Sequence, residues 1–228
     1  MTVFEWDWNY TLEILPILGR ASIVTVQATL LGFVLAATLG LVLAILRLSH
    51  SRWLKLPATG FVEFIRSTPL LIQIFFIFYV LPEFGISLSA ITAGILALGL
   101  HYASYCAEVY RAGLENIPKG QWEACIALNM SPFHTFKNVI IPQAIPPVVP
   151  ALGNYLVALF KETPLLSAIA VVELMQTAKI LGSESFQYTE PITLVGLFFL
   201  FFSMVSAWLI RRVEAWLNRR PGGRRELI

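Results

Sequence analysis

The run "RASIVTVQATLLGFVLAATLGLVLAIL" at 20–46 contains one basic residue, at its start, and no acidic one. About 20 consecutive apolar residues suffice for a helix to cross the hydrocarbon of a bilayer. A second run, "PITLVGLFFLFFSMVSAWLI" at 191–210, meets the same requirement. Two such runs in one short chain point to an all-α integral membrane protein, and the composition agrees. Of 228 residues, 57% are hydrophobic and 13% charged, against about 25% charged in ordinary soluble domains. A soluble core of this length leaves roughly a third of the unfolded surface exposed, too much to hide 16 Phe and 6 Trp among so many other apolar groups.

Three further stretches are candidate spans: 60–81, 87–110 and 143–160. The second and third spans carry charge, and the fourth is expected to be broken by Pro146, Pro147 and Pro150. The first 19 residues hold Glu5, Asp7 and Glu13 but no Lys or Arg, which reads as an external N-terminal segment, 1–19. Five spans then place 47–59, 111–142 and 211–228 in the cytoplasm. Those segments hold twelve of the 16 basic residues, so the positive-inside bias favours N-terminus outside and C-terminus inside. The basic tail, 217–228, within "RRVEAWLNRRPGGRR", follows a span directly and reads as an inner-leaflet flank rather than a nucleic-acid site. "MTVFEWDWNYTLEILPIL" shows no basic n-region or cleavage pattern of a signal peptide. Cys106 and Cys125 show no metal-ligand or CxxC spacing.

"LLSAIAVVELM", within 161–190, is short for a span and is followed by polar "KILGSESFQYTEP". A re-entrant or partly embedded helix and an external loop fit it better than a sixth span, which would also move the basic C-terminus outside.

The 32 residues from Arg111 to Pro142 are too long and too patterned for a plain connection. Pro118 and Gly120 are expected to end the third helix, "QWEACIALNM" to form a short helix with Glu123 near its positive end, and Ser131-Pro132 to cap and start another. A helical wheel groups Trp122, Cys125, Ile126 and Asn129 on one side. On residues alone the loop is either an amphipathic segment packed beneath the bundle or a docking element.

Ionisable groups near hydrocarbon depth are costly and mark structure or a pathway. Glu63 and Arg66, and again Glu108 and Arg111, sit three apart and read as structural ion pairs, Arg66 also being placed to reach the loop or a neighbouring subunit. His101, beside Tyr102, is either a hydrogen-bonded helix residue or part of a substrate route. Lys161 and Glu162 lie beside the interruption at Thr163-Pro164, an arrangement suited either to a zwitterion or to a gating ion pair, with Glu173 returning toward the same cavity. Thr68 and Gln73 are neutral polar candidates for that lumen. Phe75, Phe76, Phe78 and Tyr79 are expected to meet lipid and neighbouring helices; Tyr188, Trp208 and Trp216 read as interfacial anchors.

The stretch "EACIALNMSPFHTFKNVIIPQA" resembles the cytoplasmic EAA loop of ABC importer permeases, with Glu123, Ala124, Ile140 and Pro142 at its characteristic positions. Cys125 replaces the second alanine and Asn129 the usual glycine; Asn is the residue that best tolerates a left-handed backbone in its place. "RSTPLLIQIFFIFYVLP" at 66–82, "YCAEVYRAGLENIPKGQWEA" at 105–124 and "KETPLLSAIAVVELM" at 161–175 are similar, in order, to segments of the polar amino acid branch, with Ser67, Glu162 and Pro164 as departures. The resemblance covers 20–216, and within that branch the overall wording is most similar to ectoine and hydroxyectoine permeases.

The resemblance implies a type I ABC importer transmembrane domain over 20–216. It implies a second permease subunit, identical or different, two cytoplasmic ATPase subunits and an external solute-binding protein. Gly120, Glu123, Ala124, Asn129, Ile140 and Pro142 would couple the loop to the ATPases. Thr68, Gln73, His101, Lys161, Glu162 and Glu173 are the translocation candidates for a small polar or zwitterionic solute, a polar amino acid or an ectoine-like compatible solute. No GxxxxGK[ST] phosphate loop occurs in the chain, so ATP and Mg fall to the partner subunits. No cofactor or metal is expected in the chain itself. Two readings of other classes are a membrane-embedded enzyme using Glu108, His101 and Glu173, and a scaffold without transport.

Overall fold

A computed structural model describes residues 6–218, and among these the regular elements are helical. Helix α1 runs from Trp8 to Arg47, 40 residues or about 60 Å at 1.5 Å per residue. It begins at Trp8 rather than Arg20 because Asp7 caps it, its carboxylate accepting from the Tyr10 N–H at 2.9 Å. The stretch expected to precede the first span is thus largely helical and continuous with it. Its inner face, Ile14, Leu18 and Ala21, packs on Leu174, Ala178, Leu194 and Val195.

Ala28, Gly32, Ala36, Gly40 and Ala44 recur every four residues along α1 and all face inward. They let α4, Ala90–Glu115, approach closely. A Cβ added at Gly40 would stand 2.6 Å from the Cys106 Cβ and 2.9 Å from the Ala103 carbonyl oxygen. Cys106 is therefore a small packing residue of this seam, fully buried.

The second expected span is not one straight helix. α2, Arg52–Arg66, stops, and after a bend of 106° the chain continues as α3, Leu70–Phe75, a wide turn Phe76–Val80 and a tight turn Leu81–Phe84. Pro69 causes the break: it offers no N–H to the turn before it and biases Thr68 away from helix. Trp53, Leu56 and Phe64 of α2 are exposed beside Arg52 and Lys55, the character of a helix lying in the membrane interface. In the aromatic run, Phe76 and Tyr79 are exposed and Phe75 and Phe78 pack on the core, as expected.

The fourth span differs in the opposite sense. Pro146, Pro147 and Pro150 do not break α7, which is continuous from Ile141 to Glu162. Membrane helices tolerate proline where neighbouring helices and local adjustment take up the freed carbonyls; the wide turn leading into α7, Phe136–Ile140, precedes a fourth proline, Pro142, at the helix start. After α7 come a tight turn, Thr163–Ile169, a left-handed Ala170 at φ 58° and α8, Leu174–Ser185, whose 12 residues are too few to cross a bilayer. α9, Thr189–Asn218, completes the fold and packs on α7 and α8. Four helical segments, or five if the bent α2–α3 pair is one crossing, are long and apolar enough to span. Most of the basic tail at 217–228 lies outside the described residues.

Candidate functional site

The C-terminal half of α4 carries His101, Tyr105, Glu108, Arg111 and Glu115 at spacings of four, three, three and four, which puts them along one face. Glu108 is the hub. Its Oε1 accepts from Arg47 of α1 at 2.6 Å and Arg66 of α2 at 3.4 Å, and its Oε2 from the Arg111 Nη2 at 2.7 Å and Nε at 2.9 Å. Arg111 also reaches Glu115. One half-buried carboxylate thus joins three helices, and the pairing expected between Glu108 and Arg111 is present. The pairing expected between Glu63 and Arg66 is not. The bend after Arg66 turns its side chain toward α4, and Glu63, exposed, joins none of the ion pairs among the described residues.

Higher on the same face, Gln73 of α3 repairs the break at Pro69. Its Nε2 donates to the Ile65 carbonyl at 2.8 Å, the Thr68 carbonyl at 3.1 Å and the Thr68 hydroxyl at 2.7 Å, while its Oε1 faces His101 Nδ1 at 3.2 Å. Thr68, Gln73 and His101 therefore form one buried linkage between the helix break and α4. Buried backbone carbonyls left open by a proline need such partners in hydrocarbon.

Glu162, at the end of α7, accepts from the Tyr102 hydroxyl at 2.8 Å. Tyr102, Tyr105 and Tyr155 have ring centroids 5.5 to 6.1 Å apart, and the Arg66 guanidinium lies 5.4 Å over the Tyr105 ring. A carboxylate and a guanidinium thus stand at the two ends of an aromatic cluster. Lys161 is exposed and does not join Glu162. Glu173 does not return to this cluster. Fully buried, it caps α8, accepting from Met175 N–H at 2.9 Å and Gln176 N–H at 2.8 Å. Arg47, Tyr105 and Tyr155 are members that residue-by-residue reading passed over; the spacing of Tyr105 between His101 and Glu108 was the available signal. His101, Glu108 and Glu173 have three separate sets of partners, which does not favour an embedded acid–base enzyme.

The loop holds two short helices, α5, Lys119–Ala127, and α6, Pro132–Thr135. The break from α4 falls at Asn116–Pro118; Gly120 lies within the first turn of α5, with open space around it. Glu123 and Ala124 are exposed, a full turn from the start of α5 rather than at its end. Asn129 is left-handed at φ 52°, and the Ser131 hydroxyl caps α6 with Pro132 at its first position. The wheel face divides: Cys125 is buried and Trp122 packs edge-on against Phe136, whereas Ile126 is 78% exposed and Asn129 is exposed too; Leu128, off that face, is 74% exposed. Ile140, with Ile117 and Ala144, buries the base of the loop, and exposed Pro142 opens α7.

Residues 36–219 match the family of the binding-protein-dependent transport system inner membrane component. Over 222 residues the chain is 46% identical to a probable amino-acid ABC transporter permease protein, y4tG, of Sinorhizobium fredii, covering 95% of this chain and 96% of that one. It is 33% identical to the L-cystine transport system permease protein TcyB of Bacillus subtilis, over 96% of this chain and 95% of that one. A crystal structure of an amino acid ABC transporter with histidines superposes with a TM-score of 0.88 at 32% identity, covering 93% of this chain and all (100%) of the other. An inward-facing MetNI methionine ABC transporter shares the fold, with a TM-score of 0.72 at 22% identity, covering 91% of this chain and 99% of that one.

Proposed function

Because the chain belongs to the family of binding-protein-dependent transport inner membrane components, we propose that it is the permease through which a zwitterionic amino acid passes along the α4 face. As the permease subunit of an ABC amino-acid importer, it works with ATPase subunits and a solute-binding protein. The observation that carries the route is the aromatic cluster with Glu162 at one end and Arg66 at the other. A carboxylate attracts the ammonium of an amino acid and a guanidinium its carboxylate. Tyrosine rings between them offer a surface for the cation and hydroxyls for hydrogen bonds. Ectoine-like solutes, also zwitterions, fit the same charges, and the resemblance in overall wording supports including them.

In this proposal the chain pairs with a second permease and two ATPases, its N-terminus outside. α5 and α6 dock on an ATPase, with Glu123 and Ala124 on the exposed side and Ile140 anchoring the loop to the bundle. Closure of the nucleotide sites then moves α4 and α7, which flank the loop, as rigid elements. Arg47, Glu108 and Arg111 hold the cytoplasmic ends together and do not touch solute, while Arg66, held by Glu108 on one side, faces the Tyr105 ring on the other.

The test is uptake by the complete importer, reconstituted with its binding protein and ATPase, against radiolabelled polar amino acids and ectoine. ATP-dependent accumulation of an unaltered amino acid, reduced in Glu162→Gln, is the expected result. Accumulation unaffected by Glu162→Gln removes that residue from the route, and no accumulation of any zwitterion sinks the substrate class. For the docking role, Glu123→Ala is expected to lower ATPase co-purification and uptake together.

A further inference from the structure

At the cytoplasmic end of the bundle, α1, α4 and α7 diverge around a cleft of about 720 Å³. Its walls are apolar, with Leu41, Ala44 and Ile45 from α1, Phe136 before α7, and Ala144 and Val148 from α7. Leu48 also lines a second recess of about 280 Å³, more polar than the cleft, with Arg47, Lys55, Thr59, Arg111 and Glu115 in its walls. A dry slot suited to a chain and a basic recess suited to a head thus lie on either side of Leu48. We propose that this composite site holds one anionic phospholipid of the inner leaflet, its acyl chain in the cleft and its phosphate against Lys55 and Thr59.

Charge complementarity selects this occupant. Arg47, Arg66 and Arg111 are engaged by Glu108, and Arg111 also by Glu115, but four cations with Lys55 face two carboxylates. Lys55, exposed, joins none of the ion pairs among the described residues. The surplus of positive charge suits a phosphate, and basic pockets between helices on the cytoplasmic side are where anionic headgroups bind. Depth agrees as well. α2 exposes Trp53 and Leu56 next to Lys55, which sets that lysine at headgroup level. The volume of the cleft lies within the range of about 300 to 1,000 Å³ usual for ligand pockets. A lipid seated here would tie α7 to the pair α1 and α2, which pack on each other through Leu43, Ala44, Ala58 and Val62.

The assembled importer, purified from membranes of phosphatidylglycerol and phosphatidylethanolamine, tests the site with a photoactivatable phosphatidylglycerol. Labelled peptides are expected to include Leu48 and Phe136, with a phosphatidylcholine probe of the same chains labelling far less. Lys55→Gln should lower phosphatidylglycerol labelling about fivefold, the effect of one surface cation, and Lys55→Arg should restore it. Leu41→Trp, filling the slot at an exposed position, should lower labelling by both probes. Equal labelling by the two probes, or labelling unchanged in both Lys55→Gln and Leu41→Trp, overturns the proposal. So does disulfide capture of Leu41→Cys by a second permease copy in place of lipid label.

Discussion

Along α4 Glu108 and Arg111 lie half-buried and find their partners inside the chain, whereas in the loop that follows it large apolar side chains stand exposed. Glu108 is gripped from three helices; Ile126, Leu128 and Phe133 are 78%, 74% and 68% exposed at the opposite end of the same structural unit. A buried charge without partners is costly and so is an exposed apolar cluster outside the bilayer. The first region has solved its problem internally and behaves as framework. The second keeps its apolar side chains exposed, as the proposed docking on an ATPase requires.

The framework is broken most severely by Glu108→Gln. Arg47, only 9% exposed at its side chain, would lose its carboxylate and stay beside Arg66 and Arg111. Removing one partner of a buried pair costs about 3 kcal/mol or more. Thermal unfolding of the purified importer in detergent is expected to show that loss, with ATPase binding by the surviving folded fraction unchanged. A fall no larger than that of an ordinary surface substitution would dissolve the contrast between the two regions. Ile126→Asp should do the reverse. Truncation of a central interface anchor costs about 2 kcal/mol, or roughly thirtyfold in affinity, so co-purification of the ATPase should drop sharply while the unfolding temperature of the permease holds.

Between these extremes lies Tyr102, whose hydroxyl holds Glu162 at 2.8 Å. Tyr102→Phe deletes one hydrogen bond to a charged group and should cost about 1.5 kcal/mol. If Glu162 serves solute, the loss will appear in uptake at low solute concentration more than in unfolding. An equal effect on stability and no effect on uptake would move this pair from the route to the framework.

How far the sequence could be read follows the same division. The long apolar runs, the short segment after 160 and the cap at Ser131 were legible because each depends on neighbours a few residues away. Asn129 was legible for the same reason, since the left-handed turn is a local requirement. The partner of Arg66 was not. Glu63 lies one turn away and is the obvious choice by spacing, but Pro69 bends the chain and delivers Arg66 to Glu108, 42 residues on. Glu173 misled in a similar way: a buried carboxylate in a membrane segment suggests a pathway, yet two N–H groups of the next helix satisfy it. The prolines of α7 point the other way again. Three of them predict a broken helix in water, and the continuous α7 reflects rules that differ in hydrocarbon.

The smallest expected effect sits where the loop turns. Asn129, at φ 52°, follows α5, and the N–H of Met130 returns to the Cys125 carbonyl at 3.0 Å. This closure is the pattern by which a left-handed residue ends a helix, and glycine is its usual occupant. Asn129→Gly should therefore be neutral or slightly stabilising, and Asn129→Ala should cost about 1 kcal/mol, the penalty for a Cβ in this region without an amide to offset it. The consequence for coupling is sharper than the energy. If the turn only has to form, Asn129→Gly keeps both ATPase binding and uptake. If the Asn129 amide, which is exposed, contacts the ATPase, Asn129→Gly lowers co-purification while the turn survives, and the docking surface extends past α5 to the turn itself.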